Sequence, residues 1–328
     1  MIVEFSVHPS FDFLTKIADV LNVQLQNNTL ILPPKLGEGY IKKVEIDQQI
    51  KLVMHHYKLN QELRLKRISA TEKNDLISIV LNSQEIPSQE STVKKAVIRD
   101  LTNNLSSIQV ASSSMETESI FHKNSEVFFA VIGISSTSLK SLLRLPENDK
   151  MYKIIFGEQP FFFHERITPN IYKLIKQLVD IREDHVLEHL FYKAKITELI
   201  YLTFSKILKR SEDSHGPINN RELEKLYEIR AMLIENVNTP PRLPDLAKYA
   251  AMSETKMKQL FKQVFGDSVY NYYQTLRMEQ AAILLRQSEN SVSEVGYQLG
   301  FSNLSHFSRI FNRHYGMTPK KFSSAVLD

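Results

Sequence analysis

The chain contains no cysteine, which removes disulfides, thiolate metal sites and thiol nucleophiles from its 328 residues at once. A reducing compartment fits that absence, so a cytoplasmic location is the expectation. No apolar run approaches the roughly 20 residues that cross a bilayer. Met1 to Pro9 carries Glu4 and no Lys or Arg ahead of its short apolar stretch, unlike a secretory signal. There is no Gly-rich phosphate loop, no Gly-x-Ser-x-Gly elbow and no His-Glu-x-x-His pair. Glu116, Glu118 and Glu126 have no partner at a catalytic spacing. These absences read as a protein that is not an enzyme and has no membrane segment. The net charge of +4 is too small to announce nucleic-acid binding, so the position of the charges has to decide.

A hydrophobic share of 42% and a charged share of 24% are ordinary for a globular chain, and the length favours two domains or two with a connector. Phe11 to Leu25 places Phe11, Leu14, Ile17, Ala18 and Leu21 at helical steps. From about Tyr40 to Phe163 the texture changes to short β-branched and aromatic runs separated by Asn, Ser, Gly and Pro clusters. The runs Ile50–Lys58, Leu63–Ile68, Asp75–Leu81, Ser106–Ala111 and Val127–Ile134 predict an antiparallel sandwich or barrel. Thr168-Pro169 then reads as an N-cap followed by Pro at the first helical position. Ile171, Leu174, Ile175, Leu178 and Val179 form one apolar stripe. After Glu183-Asp184 a second stripe runs from Leu187 and Leu190 through Phe191, Ile196, Leu199 and Ile200 to Ile207. Either these faces pack on the β-rich region or one of them builds a homodimer, and periodicity does not separate the two.

Residues 211–221 contain Gly216-Pro217 in a polar stretch and read as a linker. The expected organisation is a β-rich sensing domain over 1–165, a helical pair over 166–210, the linker, and an all-α domain over 222–328. The fold class is thus α+β and multidomain.

The last region contains a degenerate repeat. Phe261, Val264, Phe265 and Gly266 recur as Phe311, His314, Tyr315 and Gly316, an offset of 50. Leu246, Ala247, Ala251, Met252 and Ser253 recur as Val295, Gly296, Gly300, Phe301 and Ser302, an offset of 49. Each copy has helix-turn-helix grammar: a short helix (Pro244–Ala250; Val292–Leu299), a small turn residue, an apolar anchor, then Ser as N-cap. The small Ala247 and Gly296 let the two helices of each unit approach. The second helix buries one face (Met257, Leu260, Phe261; Phe307, Ile310, Phe311) and offers the other to a DNA major groove. Thr255, Lys258 and Gln259 in the first unit, with Asn303, Leu304, Ser305, Ser308 and Arg309 in the second, are the residues expected to face bases. Arg suits guanine, Gln and Asn suit adenine, and Leu suits a thymine methyl. Lys256, Lys262, Asn312, Arg313, Lys320 and Lys321 are placed for phosphates. Ser268 to Ser288 forms an amphipathic connector. Two recognition helices entering successive grooves on one face sit about 34 Å apart.

The stretch from Val295 to Phe322, Val-Gly-Tyr-Gln-Leu-Gly-Phe-Ser-Asn-Leu-Ser-His-Phe-Ser-Arg-Ile-Phe-Asn-Arg-His-Tyr-Gly-Met-Thr-Pro-Lys-Lys-Phe, resembles the signature of the AraC/XylS family of bacterial transcription regulators. Leu276-Arg-Met-Glu-Gln-Ala-Ala-Ile-Leu-Leu285 resembles that family's connector helix. The resemblance runs from about Glu222 to Phe322. Ala251 stands where Gly is usual, Gly296 where Ala is usual, and Asn312 where a basic residue is common. The resemblance implies sequence-specific binding to double-stranded promoter DNA and contact with RNA polymerase, commonly for activation. The family's Cys-dependent alkyl-transfer branch is excluded by the missing cysteines.

A β-rich domain followed by helices also resembles the cupin-like ligand and dimer domain of that family, which implies a small-molecule effector. Pro160-Phe-Phe-Phe-His-Glu-Arg-Ile-Thr-Pro169 resembles the siderophore-responsive branch typified by the pyochelin regulator, which implies a ferric siderophore. His55 and His56 are adjacent and would point to opposite faces of a strand. Adding His122 and His164 would complete a cupin-type metal site, but no carboxylate is in register and lone histidines are more often structural. No metal and no cofactor is expected. Phe128, Phe129, Phe161, Phe162 and Phe163 line a pocket or, more commonly for such residues, pack a core. Two alternatives accompany the effector-responsive regulator: a metal-dependent cupin-type enzyme fused to a DNA-binding module, and a regulator controlled by a protein partner.

Overall fold

The computed structural model of the chain describes residues 1–7, 12–69, 74–85, 107–179, 186–210, 216–287 and 290–324. Two compact units separate among them, the first ending at Asn220 and the second beginning at Arg221. Phe11, Ser106, Glu183, Asp184 and residues 211–215 of the expected linker lie outside the described residues.

The first unit is β-rich. It contains β1 (Ile2–Ser6), β2 (Thr29–Ile31), β3 (Gly37–Glu45), β4 (Ile50–Leu59), β5 (Leu63–Ile68), β6 (Leu76–Glu85), β7 (Ser107–Ser112), β8 (Thr117–Phe121), β9 (Glu126–Ser135) and β10 (Phe162–Arg166). Seven strands form one sheet in the order β10-β7-β6-β9-β4-β3-β2, and β1-β5-β8 form a second. The large sheet is antiparallel throughout, with β4 against β9 in the register His55↔Phe129. β1, which precedes the region expected to be antiparallel, runs parallel to β5 with Val3 opposite Leu65.

Both faces of the large sheet are covered, which is why β9 is apolar at all but its two ends. Leu52, Met54, Ala130, Ile132 and Ile134 enter one core; Tyr57, Leu59, Val127 and Phe129 enter another. The first core is roofed by four helices: α2 (Ser136–Leu143), α3 (Lys150–Phe156), α4 (Pro169–Val179) and α5 (Glu188–Ile207). Neither α2 nor α3 was anticipated from the strand-like texture. Each is short and starts on a side-chain cap, Ser135 and Asp149 respectively. The second core lies against the small sheet and α1 (Phe13–Leu21). This helix begins at Asp12, whose carboxylate accepts from the amides of Leu14 and Thr15. It stops at Asn22 in the left-handed conformation, short of the expected Leu25.

The apolar stripes of the helical pair are used inside this unit. Ile171, Leu174, Ile175 and Leu178 of α4 and Tyr192, Ile196, Leu199, Ile200, Phe204 and Ile207 of α5 are buried against the sheet. Thr168 caps α4 through a bond from the Ile171 amide to its hydroxyl at 3.4 Å. The Pro160–Pro169 segment supplies β10, and its Glu165 pairs with Arg210 at 2.6 Å and Lys206 at 2.8 Å. Phe128, Phe161 and Phe163 belong to one packed core, Phe162 is buried, and Phe129 packs in the second core and lines a cavity.

The second unit is helical: α6 (Asn220–Glu235), α7 (Leu243–Tyr249), α8 (Glu254–Phe265), α9 (Val269–Arg286), α10 (Val292–Gln298), α11 (Leu304–Tyr315) and α12 (Pro319–Ser324). The expected linker end at residue 221 falls inside α6, because Asn220 already begins the helix. No helix among the described residues is long and apolar enough to cross a membrane.

Candidate nucleic-acid interface

Two pairs of helices, α7–α8 and α10–α11, repeat one arrangement around the long helix α9. In each pair the chain leaves the first helix through a left-handed residue, Ala251 at φ 53° and Gly300 at φ 76°. An apolar anchor follows, Met252 or Phe301. The first unit then caps its second helix with Ser253, whose hydroxyl accepts from the Lys256 amide at 3.3 Å. The second unit departs from the expected Ser302 cap. Asn303 takes that role, its side-chain oxygen accepting from the His306 amide at 3.0 Å. Ser302 is therefore the inserted residue that shifts the repeat offset from 49 to 50. The turn absorbs it without disturbing either helix. Both second helices end on a left-handed glycine, Gly266 and Gly316.

Close approach of the helices depends on Gly296. A Cβ there would stand 2.6 Å from Leu304 Cδ2 and 3.3 Å from Phe307 Cδ1. This contact also relocates Leu304. The residue expected to meet a thymine methyl is half-buried against α10 and serves the packing of the unit.

The remaining candidate residues are distributed as follows. Thr255, Lys258 and Gln259 on α8 are exposed, but Lys258 pairs with Glu254 one turn back and Lys256 pairs with Glu222 of α6 at 2.5 Å. Lys262 is half-buried and forms no ion pair among the described residues. On α11, Ser305, Arg309, Asn312 and Arg313 are exposed and Ser308 is half-buried; Asn303 is exposed, with its side-chain oxygen committed to the cap. Lys320 and Lys321 of α12 are exposed. Neither Arg309 and Arg313 nor these two lysines form an ion pair among the described residues. His306, one turn before Arg309, is exposed as well and was not singled out from the sequence. Its helical phase, three residues before Arg309 and seven before Arg313, was the available signal.

What sequence reasoning missed is the framework that holds the two units to α9. Arg277 is buried, and its Nε and Nη2 both donate to the Leu299 carbonyl, at 3.2 and 2.6 Å. The guanidinium also stacks 3.7 Å from the centroid of the Phe301 ring. Arg277 thus satisfies the carboxyl-terminal end of α10 and fixes the anchor of the turn. Burial draws its pKa below the ordinary guanidinium value. On the other side, Arg230 of α6 donates to the Tyr272 hydroxyl at 2.7 Å and Tyr273 donates to the Val237 carbonyl at 3.0 Å. The start of α10 carries a capping box between Ser291 and Glu294, and the bond from the Ser291 amide holds the Glu294 carboxyl below its usual pKa.

The two turns make a direct prediction. Ala251 adopts a conformation that costs an L-residue roughly 1–2 kcal/mol, part of which a glycine forfeits through its freer unfolded chain. Ala251→Gly is expected to stabilise the second unit by about 0.5–1 kcal/mol, read as a higher denaturant midpoint with an unchanged slope. An equal or lower midpoint would show that the turn is not strained.

Residues 246–325 match the family model described as a helix-turn-helix domain. The chain is 29% identical over 135 residues to the HTH-type transcriptional activator RhaR of Yersinia pestis, covering 40% of this chain and 46% of that one. It is 28% identical over 158 residues to the HTH-type transcriptional activator RhaS of Salmonella paratyphi A, covering 48% and 56%. The chain therefore spans about half the length of the curated relatives it matches. Among solved structures it is similar to a transcriptional regulator with an AraC-type DNA-binding domain from Chromobacterium violaceum, at 32% identity over 32% of this chain and 95% of that one, with a TM-score of 0.30. By its paired helix-turn-helix units and the family match over residues 246–325, the second unit is a helix-turn-helix domain of the AraC type.

Proposed function

We propose that this protein is a transcription regulator that binds promoter DNA through both helix-turn-helix units and responds to an effector in its first unit. The observation that carries the DNA-binding reading is the repeated exposure of one polar, cation-bearing face on α8 and on α11, each on a helix whose other face is buried. Arg309 and Ser305 stand clear for base contacts in the second unit, with Thr255 and Gln259 in the first. Lys262, Arg313, Lys320 and Lys321 suit phosphates. Lys256 and Lys258 reach DNA only by leaving Glu222 and Glu254, so the second unit supplies the larger share of the electrostatic attraction. Activation is supported by the relatives named as transcriptional activators, and contact with RNA polymerase is part of the same reading through the family resemblance.

Binding measured on selected operator sequences tests this. Arg309→Ala should weaken specific binding by about 1–3 kcal/mol and relax preference at one base position. Lys262→Ala should weaken binding on all sequences and flatten the salt dependence by about one unit of slope. Unchanged affinity and specificity in Arg309→Ala would remove that residue from base readout.

Effector control is supported by a partly open cavity in the first unit. Its lining includes His55 but none of His56, His122 or His164. Among the described residues no three His, Asp or Glu side chains gather where a metal ion would sit. A homodimer is supported by Leu187, Leu190 and Tyr201, which stay exposed in and just before α5 after its other face is packed. Sedimentation of the full chain tests it, and a monomer at micromolar concentration would exclude a stable dimer.

A further inference from the structure

The first unit holds a partly open cavity of about 250 Å3 between its two sheets, walled by β4, β6 and β9 on one side and by β1, β5 and β8 on the other. Most of the wall is apolar: Phe13, Val53, Leu65, Val80, Phe129 and Val131. Within it sits a cation, Arg67 of β5, only 5% exposed. We propose that this cavity holds a small, largely apolar carboxylate whose anionic group is bound by Arg67; the regulatory consequence rests on the effector reading above.

Burying a charge away from water is costly. A buried guanidinium is ordinarily matched by a carboxylate. Arg67 is not. Its Nε and Nη2 donate to the Met115 carbonyl at 3.0 and 2.6 Å, Nη1 donates to the Ser78 hydroxyl at 2.5 Å, and Nη2 reaches the Ser112 carbonyl at 3.4 Å. All three partners are neutral, and no acid lies within ion-pair distance among the described residues. One N–H of Nη1 has no acceptor in this set, and the Ser112 contact is long enough to be exchanged. Burial brings the Arg67 pKa down to about 10, which leaves the side chain cationic at neutral pH.

The surroundings do not supply the missing charge. Asp12 at the rim is neutralised by Lys43 at 2.6 Å. Asp75 is exposed and forms no ion pair among the described residues. Lys51, a second lining cation, has no ion-pair partner among them either. His55 is held neutral, its pKa pushed down to about 3 by burial. Among the described residues the cavity thus carries a positive charge with no ion-pair partner inside a largely apolar wall. The complementary ligand has one planar anionic end, suited to the guanidinium fork, and an apolar body. Allowing the roughly 30 Å3 that a water occupies for each atom, the space fits on the order of ten non-hydrogen atoms.

Gly133 of β9 gives the test a clean control. It lines the cavity, its φ is not positive, and a Cβ built there meets nothing within 4 Å. Gly133→Leu therefore places an apolar side chain in open space at the cavity wall, opposite Ser78 in the sheet. The probes are octanoate, octan-1-ol and octylamine, titrated into the full chain by calorimetry. Octanoate is expected to bind at least tenfold tighter than the alcohol or the amine. Gly133→Leu, folded by circular dichroism, is expected to lose octanoate binding, and Arg67→Gln to weaken it at least tenfold. Should Arg67→Gln fail to fold, the alcohol comparison and Gly133→Leu still decide. Equal affinity for octanoate and octan-1-ol, unchanged octanoate binding in Gly133→Leu, or no octanoate binding by the folded wild-type chain would each overturn the proposal. The effector reading fails separately. Octanoate that fills the cavity yet leaves operator affinity unchanged removes the regulatory role and keeps the site. An operator affinity that responds to other small molecules, while octanoate is ignored, removes the site and keeps the role.

Discussion

Replacing Gly300 with alanine is expected to destabilise the second unit by at least about 3 kcal/mol and to abolish specific DNA binding at temperatures where the wild type binds. Two costs add. The φ of 76° places an L-residue in the left-handed region, at roughly 1–2 kcal/mol. The new Cβ would also stand 2.1 Å from the carbonyl oxygen of Asn238 and 3.2 Å from its carbonyl carbon. These atoms are backbone in the turn that follows α6, so no side-chain rotation relieves the clash. Either the turn between α10 and α11 opens or the 236–238 turn moves away. Both shift α11 relative to α9. Circular dichroism during denaturant unfolding measures the loss directly. An unchanged midpoint would mean that the Asn238 turn yields freely. The contrast with Ala251 is informative, because that residue tolerates a Cβ in nearly the same conformation. Its side chain is exposed. The conformational penalty is common to both turns, and the steric one belongs to Gly300 alone.

The second large effect is expected at Arg277. Truncation to alanine removes a doubly bonded, charge-assisted contact to Leu299 O and a short stack on Phe301. It also leaves a helix-terminal carbonyl buried without that donor. Buried charge-assisted bonds contribute about 1.5–3 kcal/mol and a desolvated cation–π contact about 2 kcal/mol, while removing the buried charge recovers part of the sum. A net loss of about 3 kcal/mol is expected. Arg277→Lys should restore little, since a lysine ammonium lacks the planar fork that engages the carbonyl from two nitrogens while lying flat on a ring. Near-complete rescue by lysine would show that charge alone matters at this position. Because Arg277 reaches no exposed surface, its loss should weaken binding to all operators alike, whereas Arg309→Ala changes base preference. The two variants therefore separate framework from readout.

The C-terminal unit was legible because its information is local. A left-handed turn residue, an anchor, a cap and an apolar stripe lie within about two helical turns of one another. Their repetition at an offset near 50 disclosed two copies. The ends of the helices were less secure, since Ser302 and Asn303 are equally good caps by chemistry and only the geometry selects Asn303. Leu304 was misplaced for a related reason. Its position on the helix suggests exposure, yet the space left by Gly296 draws it inward. The lysines of α8 were read by sign alone, and the acids that engage Lys256 and Lys258 sit on another helix and on the preceding turn.

In the first unit the strands with strong composition were found, and their alternation is visible in Ile50–Leu59 and Leu63–Ile68. The partners of each strand were not. Pairing joins residues far apart in sequence, such as Val3 with Leu65 and Phe162 with Ala111, and nothing local records it. By itself the sequence determined that the last third carries two helix-turn-helix units and that the preceding region is β-rich. Only the tertiary structure decided which side chains of those units are free. It alone brought Arg67 and Gly133 to one cavity, because burial and the matching of charge depend on neighbours supplied by distant strands.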